Sequence, residues 1–309
     1  MPSRDEFSLI DWIRQHTQIR EPVATGIGDD TAILNGPAGG RQVLVTTDML
    51  MEGRHFRLET ATPQQIGRKA LGVNLSDIAA MAGRPTAAFI SLALPQSGGR
   101  RLAEGLYEGM NELAERYEVS IAGGDTNAWD GPLVLNVTLL GESSAKGPVR
   151  RAGARPGDRL FVTGPVGGSL PSGRHLTFEP RLREAALLHE RFDLHALIDL
   201  SDGISSDLGH IATESGVRAV LIADQIPVHA DVDPAFPAEE RLRHALGDGE
   251  DFELLLAVGP EDADRMRNSP DLAWLTEVGR IEAGEGCWIQ DRSGRVSPLE
   301  AAGWVHRFD

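Results

Sequence analysis

Short aliphatic and β-branched runs alternate with longer stretches of helical periodicity along almost the whole chain, and this alternation most constrains the fold. Gln42–Thr47, Ala87–Leu94, Val119–Ala122, Leu133–Gly141, Arg159–Thr163, Ala196–Leu200, Ala219–Ile222 and Phe252–Val258 read as strands. Asp5–Gln18, Pro63–Ala82, Arg101–Tyr117, Pro180–Glu190 and Ser205–Glu214 read as helices. In the third of these, Leu102, Leu106, Met110 and Leu113 share one face. Pro63 suits a first turn, and Gly83-Arg84-Pro85 ends the helix before it. Around residues 146–158 the composition shifts to Arg, Gly and Pro, which places a boundary there. The expected architecture is two layered α/β domains, 1–148 and 149–309.

No apolar run approaches the ~18 residues of a membrane helix, and Arg4, Asp5 and Glu6 at the N-terminus argue against a secretory leader. Cys287 is the only cysteine, so neither an internal disulfide nor a cysteine-based zinc site can form. A cytoplasmic, reducing location is the expectation. The net charge of −16 disfavours nucleic acid, and of 30 basic residues only Lys69 and Lys146 are lysines.

The chemistry-bearing pattern is acidic. Expected strands, or the turns beside them, lead into Asp48, Asp125, Asp199 and Asp202, while Gly26-Ile27-Gly28 delivers Asp29 and Asp30 and Asn74-Leu75-Ser76 delivers Asp77. Each alone reads equally as a turn residue or a helix cap. Carboxylates gathered at the strand ends of an α/β sheet would repel one another unless cations neutralise them, and hard oxygen ligands select magnesium, calcium or manganese. Other chemistries fail. There is no G-x-x-x-x-G-K-[ST], no protein-kinase motif set, no G-x-S-x-G elbow and no H-E-x-x-H.

Read in order, the motifs resemble those of the thiamine-monophosphate kinases. They are Gly26-Ile27-Gly28-Asp29-Asp30, Thr46-Thr47-Asp48-Met49-Leu50, Gly53-Arg54-His55-Phe56, Lys69 through Met81, Gly123-Gly124-Asp125-Thr126, Arg151 through Asp158, Asp199-Leu200-Ser201-Asp202-Gly203, and Gly249-Glu250-Asp251-Phe252. The resemblance spans about residues 22 to 258 and returns at Gly303-Trp304. Asn127 and Phe252 depart from the usual Thr and Tyr, and the stretch 167–181 is short and basic for such a chain.

The resemblance implies the two-domain aminoimidazole-ribonucleotide-synthetase-like fold, α+β or α/β, with an N-terminal domain that dimerises through its sheet and a C-terminal layered domain over the cleft. It implies transfer of the ATP γ-phosphoryl group to thiamine monophosphate in a homodimer, with several Mg2+ ions and without membrane or nucleic-acid partners. By motif position, Asp30, Thr46, Thr47, Asp48, Asp77, Asp125, Asp199 and Asp202 would hold magnesium. Gly124, Asp125, Arg151 and Ser201 would contact ATP, and His55, Glu250 and Trp304 the thiamine moiety. No covalent nucleophile or general base is implied. The rivals are another ATP-using member of the same superfamily and a non-catalytic nucleotide-binding relative. Selenophosphate synthetase would want a reactive Cys near the N-terminus, where this chain has none.

Overall fold

The computed structural model describes residues 6–36 and 40–303. The elements run α1 (Glu6–His16), β1 (Val23–Thr25), β2 (Ala32–Leu34), β3 (Val43–Met51), α2 (Pro63–Ala80), β4 (Arg84–Pro95), α3 (Gly99–Arg116), β5 (Ser120–Trp129) and β6 (Val134–Glu142). After a connection come β7 (Arg159–Val162), the short α4 (Ser169–Ser172), α5 (Leu182–Arg191), β8 (Leu194–Asp199), α6 (Ile204–Ser215), β9 (Arg218–Ile222), α7 (Ala238–Gly247), β10 (Leu254–Val258), α8 (Pro260–Arg267), β11 (Thr276–Glu282), β12 (Gly286–Gln290) and β13 (Val296–Pro298). The strands form two sheets, in the orders β1-β2-β3-β6-β4-β5 and β13-β12-β9-β11-β7-β10-β8.

Strand parity decides what each sheet covers. In the N-terminal sheet Leu44, Leu50, Ile90, Leu92, Leu135 and Val137 point to one face and are buried beneath α2 and α3. The opposite face is open: Met49 is 56% and Phe89 40% exposed, although both are large and apolar. The strands β7, β10 and β8 of the C-terminal sheet are covered on both faces and are buried almost throughout. Along β10, Leu254, Leu256 and Val258 join the core shared with α5 and α8, while Leu255 and Ala257 join the core beneath α6.

Helix α2 starts at a capping box. Thr62 Oγ1 accepts from Gln65 N–H at 3.2 Å, and Gln65 Oε1 accepts from Thr62 N–H at 2.9 Å. The helix is buried nearly all round, as expected where several layers meet. It touches α3, β3 and β6 on its own side and α5 and β8 on the other, so one apolar core runs from the first sheet into the second.

Two sequence expectations are corrected here. Asp48 and Asp125 lie inside strands, not at strand ends, because β3 continues to Met51 and β5 to Trp129. The Gly123-Gly124 pair does not break β5, since parallel pairing with β4 carries it through to Trp129, with a register shift opposite Ala88/Phe89. Strands β1, β2 and β11–β13 and helices α7 and α8 were not apparent in the sequence, being short or without clean periodicity.

Candidate active site

Four elements bring acidic side chains to the junction of the two sheets. Asp48 comes from the helix-facing side of β3, Asp77 from the last turn of α2, Asp199 from the C-terminal end of β8, and Asp30 from the turn between β1 and β2. Carboxylate oxygens of Asp30, Asp77 and Asp199 all lie within 4.8 Å of one another. Thr46 donates a short hydrogen bond to Asp77, and Ser76 Oγ donates to Asp199 Oδ2 at 2.7 Å.

Burial is the dominant cost in this cluster. It pushes the Asp77 carboxyl well above its ordinary pKa, with the charges of Asp48, Asp199 and Asp30 adding to the effect. Asp199 is pushed up to about 8 by burial and then by Asp30. Asp48 rises to about 6 through burial, and Asp29 to about 6 through burial and the neighbouring Asp30. One cation is already present: Arg151 grips Asp30 with two hydrogen bonds, Nε to Oδ2 at 3.1 Å and Nη2 to Oδ1 at 2.7 Å.

The cluster suits hard divalent cations. All its donors are oxygens, and Asp48 Oδ2 is buried with no hydrogen-bond partner. Beside it Asp202, Asp207 and His210 form a second group whose ligand atoms also lie within 4.8 Å of one another. Asp207 Oδ2 there accepts from the backbone N–H groups of Asp202 and Gly203, which fixes the turn before α6.

A cavity of about 240 Å³ opens next to the cluster. Asp48, Asp202, His55 and Glu250 line it, with Val73 and Phe252 among its apolar walls. Met51 N–H donates to His55 Nδ1 at 3.0 Å, which leaves the ring proton of the neutral form on Nε2. Glu250 has φ +56°, a left-handed conformation rare for a side chain of its size. Its N–H donates to Ser201 O at 2.7 Å, and its carbonyl accepts from Ser169 Oγ at 2.6 Å. Ser201 thereby meets the Glu250 turn and also lines the cavity.

Three expected site residues are not with the others. Thr47 lies on the open face of the sheet, where its hydroxyl meets Thr138 Oγ1 at 3.0 Å, because adjacent strand residues point opposite ways. Asp125 is opposite Ser91 on that same open face and is fully on the edge strand, with its oxygens accepting from Thr126 N–H and Asn127 Nδ2. It is three strand spacings from Asp48, about 14 Å, and on the other side of the sheet. Gly124 accompanies Asp125. A Cβ there would come within 1.8 Å of Ile90 O, so the close approach of β5 to β4 requires glycine. Trp304 lies outside the described residues. Among residues to which the sequence assigned no ligand or binding role, Asp29, Arg54, Asp207 and Asp248 belong to these groups, as does the buried Lys69.

Comparison with known proteins follows the same lines. Residues 28–143 match the family described as AIR synthase related protein, N-terminal domain. The chain is 39% identical to a thiamine-monophosphate kinase of Rhodopirellula baltica, over 97% of each chain. It is 37% identical to the Bacillus subtilis protein of the same name, over 98% of this chain and 99% of that one. A solved structure described as AaThiL complexed with AMPPCP and TMP superposes with a TM-score of 0.82 at 31% identity, covering 98% of this chain and 97% of the other.

Proposed function

The chain belongs to the thiamine-monophosphate kinase family, a family of phosphotransferases, and from that premise we propose that it transfers the γ-phosphoryl group of ATP to thiamine monophosphate with the help of Mg2+. The observation that carries this reading is the buried cluster of Asp30, Asp48, Asp77 and Asp199 beside a cavity lined by Asp48, His55 and Glu250.

These four aspartates, with Thr46 and Asp202, would hold the cations. When bound, magnesium neutralises and aligns the phosphate oxygens of donor and acceptor. The rest is the work of the protein. Glu250 and His55 hold the organic part of the acceptor in the cavity, which leaves its phosphate for the carboxylates. Arg151, now on Asp30, is placed to take up phosphate charge as the donor arrives. The acceptor is a phosphate monoester with a second pKa near ~6, so at neutral pH it is already an anionic nucleophile. No general base is needed, and direct in-line transfer follows. Purified protein given ATP and thiamine monophosphate should yield ADP and thiamine diphosphate with sequential kinetics and inversion at a chiral γ-phosphorus. No product, ping-pong kinetics or retention would each overturn the reading.

The reading includes a homodimer. Met49, Met51 and Phe89 are exposed apolar residues on the open face of a sheet whose outer strand is β5, a combination that marks a contact surface. Asp125 lies on this face, with Gly124 next to it in the same strand, and Thr47 is the neighbour of Asp48 that points toward it. A second copy stacked there would supply Asp125 and Gly124 to a site whose other carboxylates come from its partner. Mixing inactive Asp125→Ala and Asp77→Asn protomers should then restore about a quarter of the activity, because half the dimers carry one intact site of two. No recovery would place Asp125 in its own chain's site.

A further inference from the structure

Lys69 is one of two lysines in the chain, and it sits where a lysine is costly. It lies within α2 and is 1% exposed, the largest fully buried side chain of the described residues. Its ammonium meets a carbonyl oxygen, a carboxylate and an imidazole nitrogen. Nζ donates to His55 O at 2.8 Å, lies 3.1 Å from His175 Nδ1, and makes a short ion pair with Glu250. His55 and Glu250 line the cavity, which Lys69 also lines. His175, in the helical turn after α4, lies 3.2 Å from the same Glu250 oxygen.

The arrangement leaves little freedom to Glu250. Its backbone is held left-handed by Ser201 and Ser169, and its Oε2 is taken by Lys69, so that Oε1 is the oxygen left for the cavity. Burial alone would push the carboxyl up, yet the His175 hydrogen bond and the Lys69 charge outweigh it and hold the carboxyl below its ordinary pKa. By the same ammonium, the loop that carries His55 is tied to α2 through its carbonyl.

Resting on the function proposed above, we propose that Lys69 is a positioning residue for the acceptor: it fixes Glu250 and the His55 loop in the geometry that recognises the organic part of thiamine monophosphate, and it touches neither phosphate. A buried ion pair that only joined the two sheets would serve stability alone, and the two roles separate in kinetics. Breaking the pair strands a buried carboxylate, which is then free to turn or to protonate.

The test is a double-substitution cycle read in steady-state kinetics and in melting temperature. Lys69→Met should raise KM for thiamine monophosphate by about ten- to hundredfold, the scale of losing a charge-assisted hydrogen bond, while KM for ATP stays within about twofold. In a Glu250→Gln background the same replacement should raise KM for thiamine monophosphate by much less, because only its hold on the His55 loop is then left to lose. Should Lys69→Met alone fail to fold, the comparison of Glu250→Gln with Lys69→Met/Glu250→Gln remains, since the double variant has no unpaired charge. Equal effects on both KM values, or a Lys69→Met cost that persists in full in the Glu250→Gln background, would overturn the positioning role and leave the kinase reading intact. Failure of the unsubstituted protein to use thiamine monophosphate would overturn both.

Discussion

Replacing Asp77 by Asn is expected to abolish phosphoryl transfer while leaving the protein folded and, without added cations, more stable than before. Asp77 stands at the centre of the acidic cluster, within reach of Asp30 and Asp199 and in contact with Asp48 and Thr46. An amide is a much weaker ligand for a hard cation than a carboxylate. Loss of one preorganised group facing a highly charged transition state costs on the order of 10²–10³ in kcat, and that is the minimum expected here. The stability gain follows from the same burial. Removing a carboxylate that sits in apolar surroundings among three others relieves repulsion that nothing but a cation offsets. Turnover close to the parent level in a folded Asp77→Asn protein would remove the cluster from the mechanism. A lower melting temperature than the parent in chelator would show that the carboxylates are not in conflict.

The second large effect is on stability as a function of pH and cation. Asp199 rises from an ordinary 3.8 to about 8 in the folded protein, and Asp77 also lies well above 3.8. A carboxyl with a raised folded pKa keeps its proton in the native state over a range where the unfolded chain has lost it. Stability therefore falls as pH rises from about 4 towards about 8. Below 6.5 the histidines His189, His210 and His229, kept neutral chiefly by burial, act in the opposite sense, since the unfolded chain gains their protons first. The fall should accordingly be clearest between pH 6.5 and 8. In chelator the melting temperature is expected to drop by roughly several degrees over that interval. Magnesium should recover it at pH 8, because a ligand that binds only the native state stabilises by mass action. A flat or rising profile in chelator, or one that ignores magnesium, would contradict the electrostatic account of the cluster.

Much of the cluster was legible from residues alone. Asp30, Asp48, Asp77 and Asp199 each follow or sit among small or β-branched residues in short motifs, and such motifs end where chains turn or pack closely. What the motifs did not reveal was side. Thr46, Thr47 and Asp48 were read together as ligands, yet in any strand Thr47 must point away from its two neighbours, and it does. That orientation was available from the two-residue period. The position of Asp125 was not, because it depends on β5 taking the outer edge, beyond β4 and β6, a fact of topology that a sequence does not state locally. Lys69 was visible as one of only two lysines, inside an expected helix, but its burial was not. It shares with Val73 and Asp77 the four-residue spacing of one helix face, which here joins the cavity to the cluster. Strands β11 to β13 escaped notice because most of their residues are only half-buried and carry no clean alternation.

Helix α2, shared by both sheets, also restricts how the molecule can move. Enzymes that close on their ligands by swinging domains do so about a few hinge residues between separately packed bodies. Here a swing would have to drag α2 across α5 and β8, to which it is joined by a shared apolar core and by the Ser76–Asp199 hydrogen bond. The two sheets should instead melt together, in a single heat-absorption peak, and neither should survive when expressed alone. Access to the cavity then falls to the segments that border it outside regular structure, residues 52–56 and the stretch around α4. Breathing of such segments takes nanoseconds to microseconds, against microseconds to milliseconds for whole domains. Entry of ligand is thus a fast local event, and any slow step in the cycle has to be sought in chemistry or in release of products.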